Sequence, residues 1–231
     1  MKRSLIILLL PVLVGCKSRP GTYTPTPPPK VEPVANRVTK AEEVLPLTIG
    51  NTWTYQLKAE EYQGNKRLGE ATQTVLYRVT TVNGNRALLE LIQGDNVVDR
   101  QSWENRPDGL YQLTTSLKNV PYKPAQIAAP LPLEKGKRFN WVGSGMMPDS
   151  SMGAGKAVSE VMEPEPVDTA MGTLSAIPVT TVTTFKTGRC DNTTWFRPGV
   201  GLIRLRQETT TNNGRRSIIT LILTNYALKR S

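Results

Sequence analysis

Two motifs occur twice in this chain, in the same order. The first joins a Leu-Pro-Leu entry, a glycine and two aromatic residues: Leu45-Pro46-Leu47, Gly50, Trp53 and Tyr55, and then, 86 residues later, Leu131-Pro132-Leu133, Gly136, Phe139 and Trp141. The second joins a tryptophan, an Arg-Pro pair and a Gly-Leu pair: Trp103, Arg106-Pro107 and Gly109-Leu110, and then Trp195, Arg197-Pro198 and Gly201-Leu202. The tryptophan and the Gly-Leu pair recur after 92 residues, and the Arg-Pro pair after 91. A duplication constrains the whole architecture, because each copy builds a similar piece of structure. We therefore predict two similar units, about 45–125 and 131–231; a chance likeness between segments punctuated by Pro and Gly is the alternative.

The segments between these motifs have the pattern of β-strands. Thr, Val, Leu, Ile and Tyr alternate with polar residues, and turn residues recur about every eight to fifteen positions. Asn83-Gly84 separates two such runs, 74–82 and 86–93, and this dipeptide is the strongest short-range signal for an antiparallel hairpin. A second hairpin is predicted for residues 203–226, around Asn212-Asn213-Gly214.

Helical periodicity is scarce. Only residues 125–129 and 156–162 have a pattern that permits a short helix, and Pro130 and Pro164 limit each of them. We therefore predict an all-β domain at 44–231, with short helices at most. Its antiparallel curved sheet is expected to form a half-barrel or a sandwich of the two similar units.

The start of the chain has the three parts of an export signal. Lys2 and Arg3 precede an apolar run at 5–14, and the small residue Gly15 precedes Cys16. The run is about ten residues long, and a transmembrane helix needs about 20. We predict a signal peptide at 1–15, removed before Cys16.

Leu13-Val14-Gly15-Cys16 resembles the lipobox of bacterial lipoproteins. In that family the cysteine carries acyl chains such as palmitate, so the resemblance implies lipidation of Cys16 and anchoring to a membrane of the bacterial cell envelope, outside the cytoplasm. By resemblance to enterobacterial lipoproteins, the absence of Asp at position 17 favours the outer membrane over the inner one. Residues 16–43 are rich in proline, which predicts an extended tether. An ordinary secretory signal with an incidental cysteine is the alternative.

The chain has no histidine and a formal net charge of +10. Without histidine, the usual catalytic triads and histidine-zinc sites are excluded, and we predict a protein that is not an enzyme, with no catalytic residue, metal or cofactor. A basic surface attracts anionic lipid, acidic polysaccharide or nucleic acid, and nucleic acid is not expected as the partner of an exported protein. The densest basic cluster is Arg204, Arg206, Arg215 and Arg216. Solvated strand faces are the simpler interpretation of it.

Three short segments admit more than one interpretation. Cys190 lies in a turn-like stretch, where it is either an exposed thiol able to pair with another molecule or a half-buried unpaired cysteine. Asp95, Asn96 and Asp99 lack the glycine and glutamate of a calcium loop, which favours a solvated turn. Residues 143–155 hold four glycines and three methionines. We interpret them as a mobile loop or lid, with an adaptable apolar contact for a ligand or a soft-metal site as alternatives.

The stretch 195–202, Trp-Phe-Arg-Pro-Gly-Val-Gly-Leu, resembles a signature of uncharacterised bacterial envelope proteins. The expected curved sheet is also similar to that of the periplasmic lipoprotein carrier and its outer-membrane receptor, which cradle acyl chains, although no motif matches them position by position. We therefore expect a lipid or other amphiphile as ligand, lined by Trp53, Tyr55, Phe139 and Trp141; the plain alternative is that these aromatics are core. A module whose basic face holds an envelope protein or an anionic surface polymer is the alternative function.

Overall fold

The computed structural model describes residues 31–229. The predicted signal peptide, Cys16 and the tether up to residue 30 lie outside these residues. The described part contains one short helix and fifteen strands: β1 (Arg37–Val38), α1 (Ala41–Val44), β2 (Thr52–Gln63), β3 (Lys66–Asn83), β4 (Arg86–Gln93), β5 (Asn96–Arg106), β6 (Gly109–Thr115), β7 (Val120–Pro130), β8 (Leu133–Glu134), β9 (Arg138–Met146), β10 (Met152–Val161), β11 (Glu165–Thr169), β12 (Gly172–Phe185), β13 (Gly188–Arg197), β14 (Gly201–Thr211) and β15 (Arg215–Ala227).

Twelve of these strands form one closed antiparallel barrel. Its strand order is β10-β9-β7-β6-β5-β4-β3-β2-β15-β14-β13-β12, and β12 pairs back onto β10 from Val179 to Phe185. Strand β11 pairs with β12 outside this ring, and β1 pairs with β8 in a separate small sheet. The all-β antiparallel prediction is confirmed, but the expected half-barrel or sandwich is wrong. Pairing β10 with β12 joins two edges that an open sheet would leave with unpaired backbone groups.

The predicted hairpins are present, and the two candidate helices are strands. Strands β3 and β4 pair as far as Asn83 and Arg86, so the turn is Gly84-Asn85, one residue later than expected. Strands β14 and β15 form the second hairpin. Residues 125–129 belong to β7 and 156–161 to β10. The helical interpretation is wrong for β10 because its residues alternate between buried and exposed with a period of two, as strand residues do.

The two copies of the first motif make the same backbone hydrogen bonds. The N–H of Gly50 donates to the carbonyl of Val79 at 2.8 Å, and the N–H of Gly136 donates to the carbonyl of Val161 at 2.8 Å. Both glycines have positive φ, 86° and 80°, which an L-residue with a side chain adopts only with strain. Strands β2–β7 therefore correspond in order to β9, β10 and β12–β15, with β11 as an insertion in the second unit.

The two junctions between the units differ. Strand β15 pairs with β2 along the full length from Thr52 to Gln63, whereas β7 pairs with β9 only at Lys123 and Ser144. Strand β7 contains Pro121 and Pro124, which have no N–H to donate, and β15 contains no proline. We call the β7–β9 junction the seam, because hydrogen bonding across the barrel wall is interrupted there.

The segment before β2 closes one end of the barrel. Helix α1 contacts β5, β6 and β14, and the N–H of Gly199 donates to the carbonyl of Glu43 at 2.7 Å. Val38 and Ala41 are buried in the core beside Val44, although the amino-acid composition assigns them to the predicted tether. The packed part therefore starts before residue 44, because these apolar side chains cover the end of the barrel. Among the residues described, no helix is long and apolar enough to cross a membrane.

Candidate functional site

The barrel encloses a cavity of about 450 Å³. Most of its wall is apolar or aromatic: Leu45, Trp53, Tyr55, Leu57, Tyr77, Leu89, Leu91, Trp103, Tyr122, Ile127, Ala128, Trp141, Met146, Met147, Pro148, Cys190, Phe196, Leu202, Leu205, Ile219 and Leu221. The rest of the wall is polar: Asp99, Gln101, Gln112, Thr115, Gln126, Ser150, Thr181, Thr183, Asn192, Thr194 and Gln207. Ligand cavities typically measure about 300–1,000 Å³ and combine apolar walls with a few polar groups. The interior is therefore of a size and composition that suit one small apolar or amphiphilic molecule.

Three of the four aromatic residues predicted to bind a ligand line this cavity. Trp53, Tyr55 and Trp141 are on its wall, and Phe139 is not. Phe139 is half-buried against the core and lines a second pocket near the seam. The duplicated motif therefore places Trp53 on the cavity wall in the first unit and its equivalent, Phe139, away from it in the second.

Trp53 and Tyr55 also hold the two units together. The indole Nε1 of Trp53 donates to the carbonyl of Val200 at 2.6 Å, and the hydroxyl of Tyr55 donates to the carbonyl of Leu202 at 2.7 Å. Burial, with the nearby Tyr77 as a smaller cause, raises the pKa of Tyr55 well above its ordinary value. The hydroxyl therefore keeps its proton and remains a donor. These two side chains form a rigid part of the wall.

A polar group lies in the aromatic wall on β5. Asp99 accepts hydrogen bonds from the backbone N–H of Arg100 at 2.8 Å and from Nε2 of Gln101 at 3.0 Å. Burial raises the pKa of Tyr77 far above its usual range and that of Tyr122 to about 12, and the charge of Asp99 adds to both effects. Both phenols therefore keep their protons near this carboxylate.

The β9–β10 turn lies at the end of the barrel opposite α1. Met146, Met147, Pro148 and Ser150 from this hairpin line the cavity, and Met147 packs in a small core with Trp141 and Ala157. The interpretation of 143–155 as a loop is wrong for most of the segment, because β9 and β10 pair from Gly155↔Gly143 to Met152↔Met146. Its methionines do provide apolar surface to the cavity.

The β9–β10 turn is attached to the neighbouring β12–β13 turn. The carboxylate of Asp149 accepts hydrogen bonds from the hydroxyl of Ser151 at 2.6 Å and from the hydroxyl of Thr187 at 2.5 Å. Burial alone would raise the pKa of Asp149, but these hydrogen bonds outweigh it and lower the pKa overall. The turn is therefore held in place over the cavity by an ionised side chain.

The second pocket, of about 460 Å³, lies at the seam on the other side of Trp141. Trp141 and Ile127 line both this pocket and the barrel cavity. The indole Nε1 of Trp141 donates to the carbonyl of Pro124 at 2.9 Å, and the ring of Tyr122 meets the indole edge-on at 6.0 Å. The Trp141 side chain thus separates the two spaces where backbone pairing between β7 and β9 is missing.

Cys190 is a buried cavity residue of β13. It is 2% exposed, so the structure contradicts both an exposed thiol in a turn and a half-buried one. Burial raises the pKa of Cys190 to about 11, which keeps the thiol protonated at neutral pH. Since the thiolate is the reactive form, Cys190 is not poised to pair with another molecule.

The basic cluster near the C-terminus is largely paired with acidic or aromatic groups. Arg206 and Arg216 both contact Glu208, at 2.6 and 3.4 Å, and Arg215 contacts Glu61 at 2.8 Å. The guanidinium of Arg204 lies over the ring of Trp195 at 5.1 Å. The cluster is therefore a mixed strand face rather than a concentrated anion-binding patch.

Sequence reasoning missed the polar part of the cavity. Asp99 was assigned to a solvated turn with Asp95, but it belongs to β5 and lines the interior. The available signal was its spacing: Asp99, Gln101 and Trp103 alternate along one strand, and residues two apart share a face. Trp103 places a large aromatic side chain on this face, which favours it as the inner one.

No protein-family model matches this chain, and no curated protein does. Among solved structures, it is similar to a candidate lipoprotein from Parabacteroides distasonis ATCC 8503, with 15% identity, coverage of 78% of this chain and 96% of that one, and a TM-score of 0.46.

Two further solved structures are more distant. A candidate exported protein with a YmcC-like fold from Bacteroides fragilis NCTC 9343 has 11% identity, coverage of 78% of this chain and 97% of that one, and a TM-score of 0.39. The hypothetical lipoprotein YmcC from Escherichia coli K12 has 11% identity, coverage of 77% and 89%, and a TM-score of 0.38. All three TM-scores lie below 0.5.

Proposed function

We propose that this protein is a lipid-anchored envelope protein that binds one small apolar or amphiphilic molecule inside its barrel, without catalysis. The observation that carries the proposal is the cavity of about 450 Å³ with its mostly apolar and aromatic wall. An empty apolar interior of this size costs stability, because the wall loses the dispersion contacts that a filled core would have. A ligand that fills the cavity restores those contacts.

The placement in the envelope is supported by the lipobox resemblance at Leu13-Val14-Gly15-Cys16. Lipidation of Cys16 would keep the barrel close to a membrane, which is also a source of amphiphiles. We propose the outer membrane as the site of the anchor, because position 17 is not Asp. Burying an acyl chain contributes about 0.8 kcal/mol per methylene, so a chain of about ten or more buried methylenes suffices for micromolar binding before the costs of association.

The alternative partner, an anionic polymer or protein held on a basic face, has less support. The basic residues of the C-terminal cluster are already engaged by Glu208, Glu61 and Trp195. Exposed contacts of this kind are weak and are screened by salt.

The test is to look for a molecule bound inside the purified protein. The full chain carrying Cys16→Ser, which removes the site of covalent lipid, is purified without detergent and analysed by native mass spectrometry and solvent extraction. We expect close to one amphiphile per chain, and displacement of it by the neutral apolar probe N-phenyl-1-naphthylamine.

A matched pair of variants locates the binding. Ala128→Trp adds a large side chain inside the cavity, whereas Val158→Trp adds the same side chain to β10 at a position that is 59% exposed. The first should lose most of the bound amphiphile and the second should keep it. Wild-type protein that carries no amphiphile and does not bind the probe would refute the proposal, whichever way the variants behave.

A further inference from the structure

The cavity wall contains a single charged residue, although the chain is strongly basic. Asp99 is the one Asp, Glu, Lys or Arg among the residues that line the cavity, in a chain of 29 basic and 19 acidic residues. Charged groups are costly in an apolar environment unless a partner compensates them. The negative sign of this charge therefore bears on which ligands the cavity can bind.

Asp99 has unused capacity to accept hydrogen bonds. Its two oxygens receive one neutral donor each, the backbone N–H of Arg100 and the side-chain amide of Gln101. An ionised carboxylate offers about four acceptor positions. Within residues 31–229, no lysine or arginine forms an ion pair with it, whereas sixteen such pairs exist on other side chains. The carboxylate is thus oriented by its neighbours without being neutralised.

Aromatic residues line the same cavity as this carboxylate. The charge of Asp99 reaches the phenols of Tyr77 and Tyr122, and Trp103 follows on the inner face of the same strand. The faces of tyrosine and tryptophan rings attract cations electrostatically, most strongly where water is excluded. A carboxylate within an aromatic wall is the arrangement that suits an ammonium or quaternary ammonium group.

The position of Asp99 along the barrel gives the orientation of such a ligand. Strand β5 starts at Asn96, at the end of the barrel where the β9–β10 turn lies, which we call the hairpin end. From there it runs towards the end closed by α1. Asp99 is therefore nearer the hairpin end than Trp103, and the apolar Leu45 and Trp53 lie at the closed end. A ligand with its charged head at Asp99 would direct its apolar part towards α1.

We infer that the barrel selects an amphiphile with a positively charged head group and that Asp99 receives this head. The inference rests on the proposed function and specifies its ligand. It assigns three parts of the cavity: Asp99 neutralises the charge, the rings of Tyr77, Tyr122 and Trp103 surround it, and the apolar wall holds the tail.

The experiment compares three probes with the same tail. Dodecyltrimethylammonium, dodecanol and dodecanoate are titrated, below their aggregation concentrations, into the full chain carrying Cys16→Ser, and binding is followed by tryptophan fluorescence and calorimetry. We expect the cationic probe to bind about tenfold more tightly than the neutral one, because its trimethylammonium group is attracted by the charge of Asp99 and by the faces of the aromatic rings; tenfold corresponds to about 1.4 kcal/mol. Dodecanoate should bind most weakly.

The variants are Asp99→Asn and, as the matched control, Asp95→Asn. The control removes the same charge from the exposed β4–β5 turn, four residues away. Asp99→Asn should bring the affinities of the cationic and neutral probes within about twofold, and Asp95→Asn should leave the tenfold preference. If Asp99→Asn does not fold, the order of the three affinities, measured on the Cys16→Ser chain with Asp99 intact, tests the inference by itself.

The outcomes separate this inference from the function on which it rests. Equal binding of the three probes, preference for dodecanoate, or a preference that survives Asp99→Asn would overturn the role of Asp99 while leaving a ligand-binding barrel. Failure of all three probes to bind would refute both.

Discussion

Replacing Tyr55 by phenylalanine removes one hydroxyl group from the place where the first unit is joined to the second. That hydroxyl donates to the carbonyl of Leu202 at 2.7 Å, and the Tyr55 side chain is 2% exposed. The substitution leaves the ring in place but leaves the carbonyl without this donor. Strand β14 is irregular at this point, because its register with β13 shifts between Trp195 and Phe196.

The expected loss of stability follows from the hydrogen bond. An unsatisfied buried carbonyl costs about 1–3 kcal/mol, and here the bond is only partly buried, so we expect about 1.5 kcal/mol. For a domain of this size, that corresponds to a decrease in Tm of about 3–6 °C. The raised pKa of Tyr55 means that ionisation of the phenol does not interfere at neutral pH.

Urea unfolding followed by tryptophan fluorescence, together with calorimetry, measures the effect. The control is Tyr226→Phe, because the hydroxyl of Tyr226 makes no hydrogen bond to any residue within 31–229. The control should change the free energy of unfolding by less than about 0.5 kcal/mol. If Tyr55→Phe unfolds at the same urea concentration as the wild type and the control, the contact does not join the two units as argued.

Two further predictions concern the outer wall and the seam. Glu104 is buried on the wall, and burial alone would raise its pKa, but hydrogen bonds from Arg86 at 2.9 Å and Arg106 at 2.7 Å lower the pKa overall. Its contribution to stability is therefore present above the pKa of an unfolded glutamate, about 4.3, and lost as pH falls through the lower folded value. Glu104→Gln should lower the free energy of unfolding by about 1 kcal/mol at pH 7, a modest amount because its arginine partners are partly exposed. In urea titrations, the difference from wild type should shrink as the pH is lowered below about 4.3; a difference that stays constant with pH would contradict this account. At the seam, a Cβ on Gly143 would lie 2.6 Å from the Trp141 ring and 2.7 Å from the Lys123 carbonyl, whereas a Cβ on Gly153 meets nothing within 4 Å. Gly143→Ala should lower the free energy of unfolding by about 1–3 kcal/mol and shift the tryptophan emission, and Gly153→Ala should do neither. If the two variants change stability and emission equally, Trp141 is not closely packed at the seam.

Local features of the sequence were sufficient to identify most strands and the hairpins, and they predict the duplication. Alternation with a period of two places residues on opposite faces wherever a strand lies in the fold, and the Asn-Gly and Asn-Asn-Gly turns act within a few residues. The recurrence of Gly50 as Gly136 reflects a shared backbone requirement, the positive φ that both residues adopt. These are properties of short segments, so they are visible without the rest of the chain.

Closure of the barrel and the nature of its interior were decided by tertiary structure. The pairing of β12 with β10 and of β15 with β2 joins segments that are distant in sequence, and no local pattern specifies whether two sheet edges meet. The segment 125–129 has residues that suit a short helix, but it pairs with β6 because the neighbouring strand provides hydrogen-bond partners for its backbone.

Asp99 shows the same limit at the candidate site. By itself, an aspartate three residues after Asn96 favours a solvated turn, and only the curvature of the sheet decides that its face of β5 points into an enclosed space. The sequence alone predicts an antiparallel β protein, a duplication within it, and an export signal that ends in a segment resembling a lipobox. Tertiary structure decided that the two copies enclose a cavity, because enclosure depends on contacts between strands from both copies and not on any one of them.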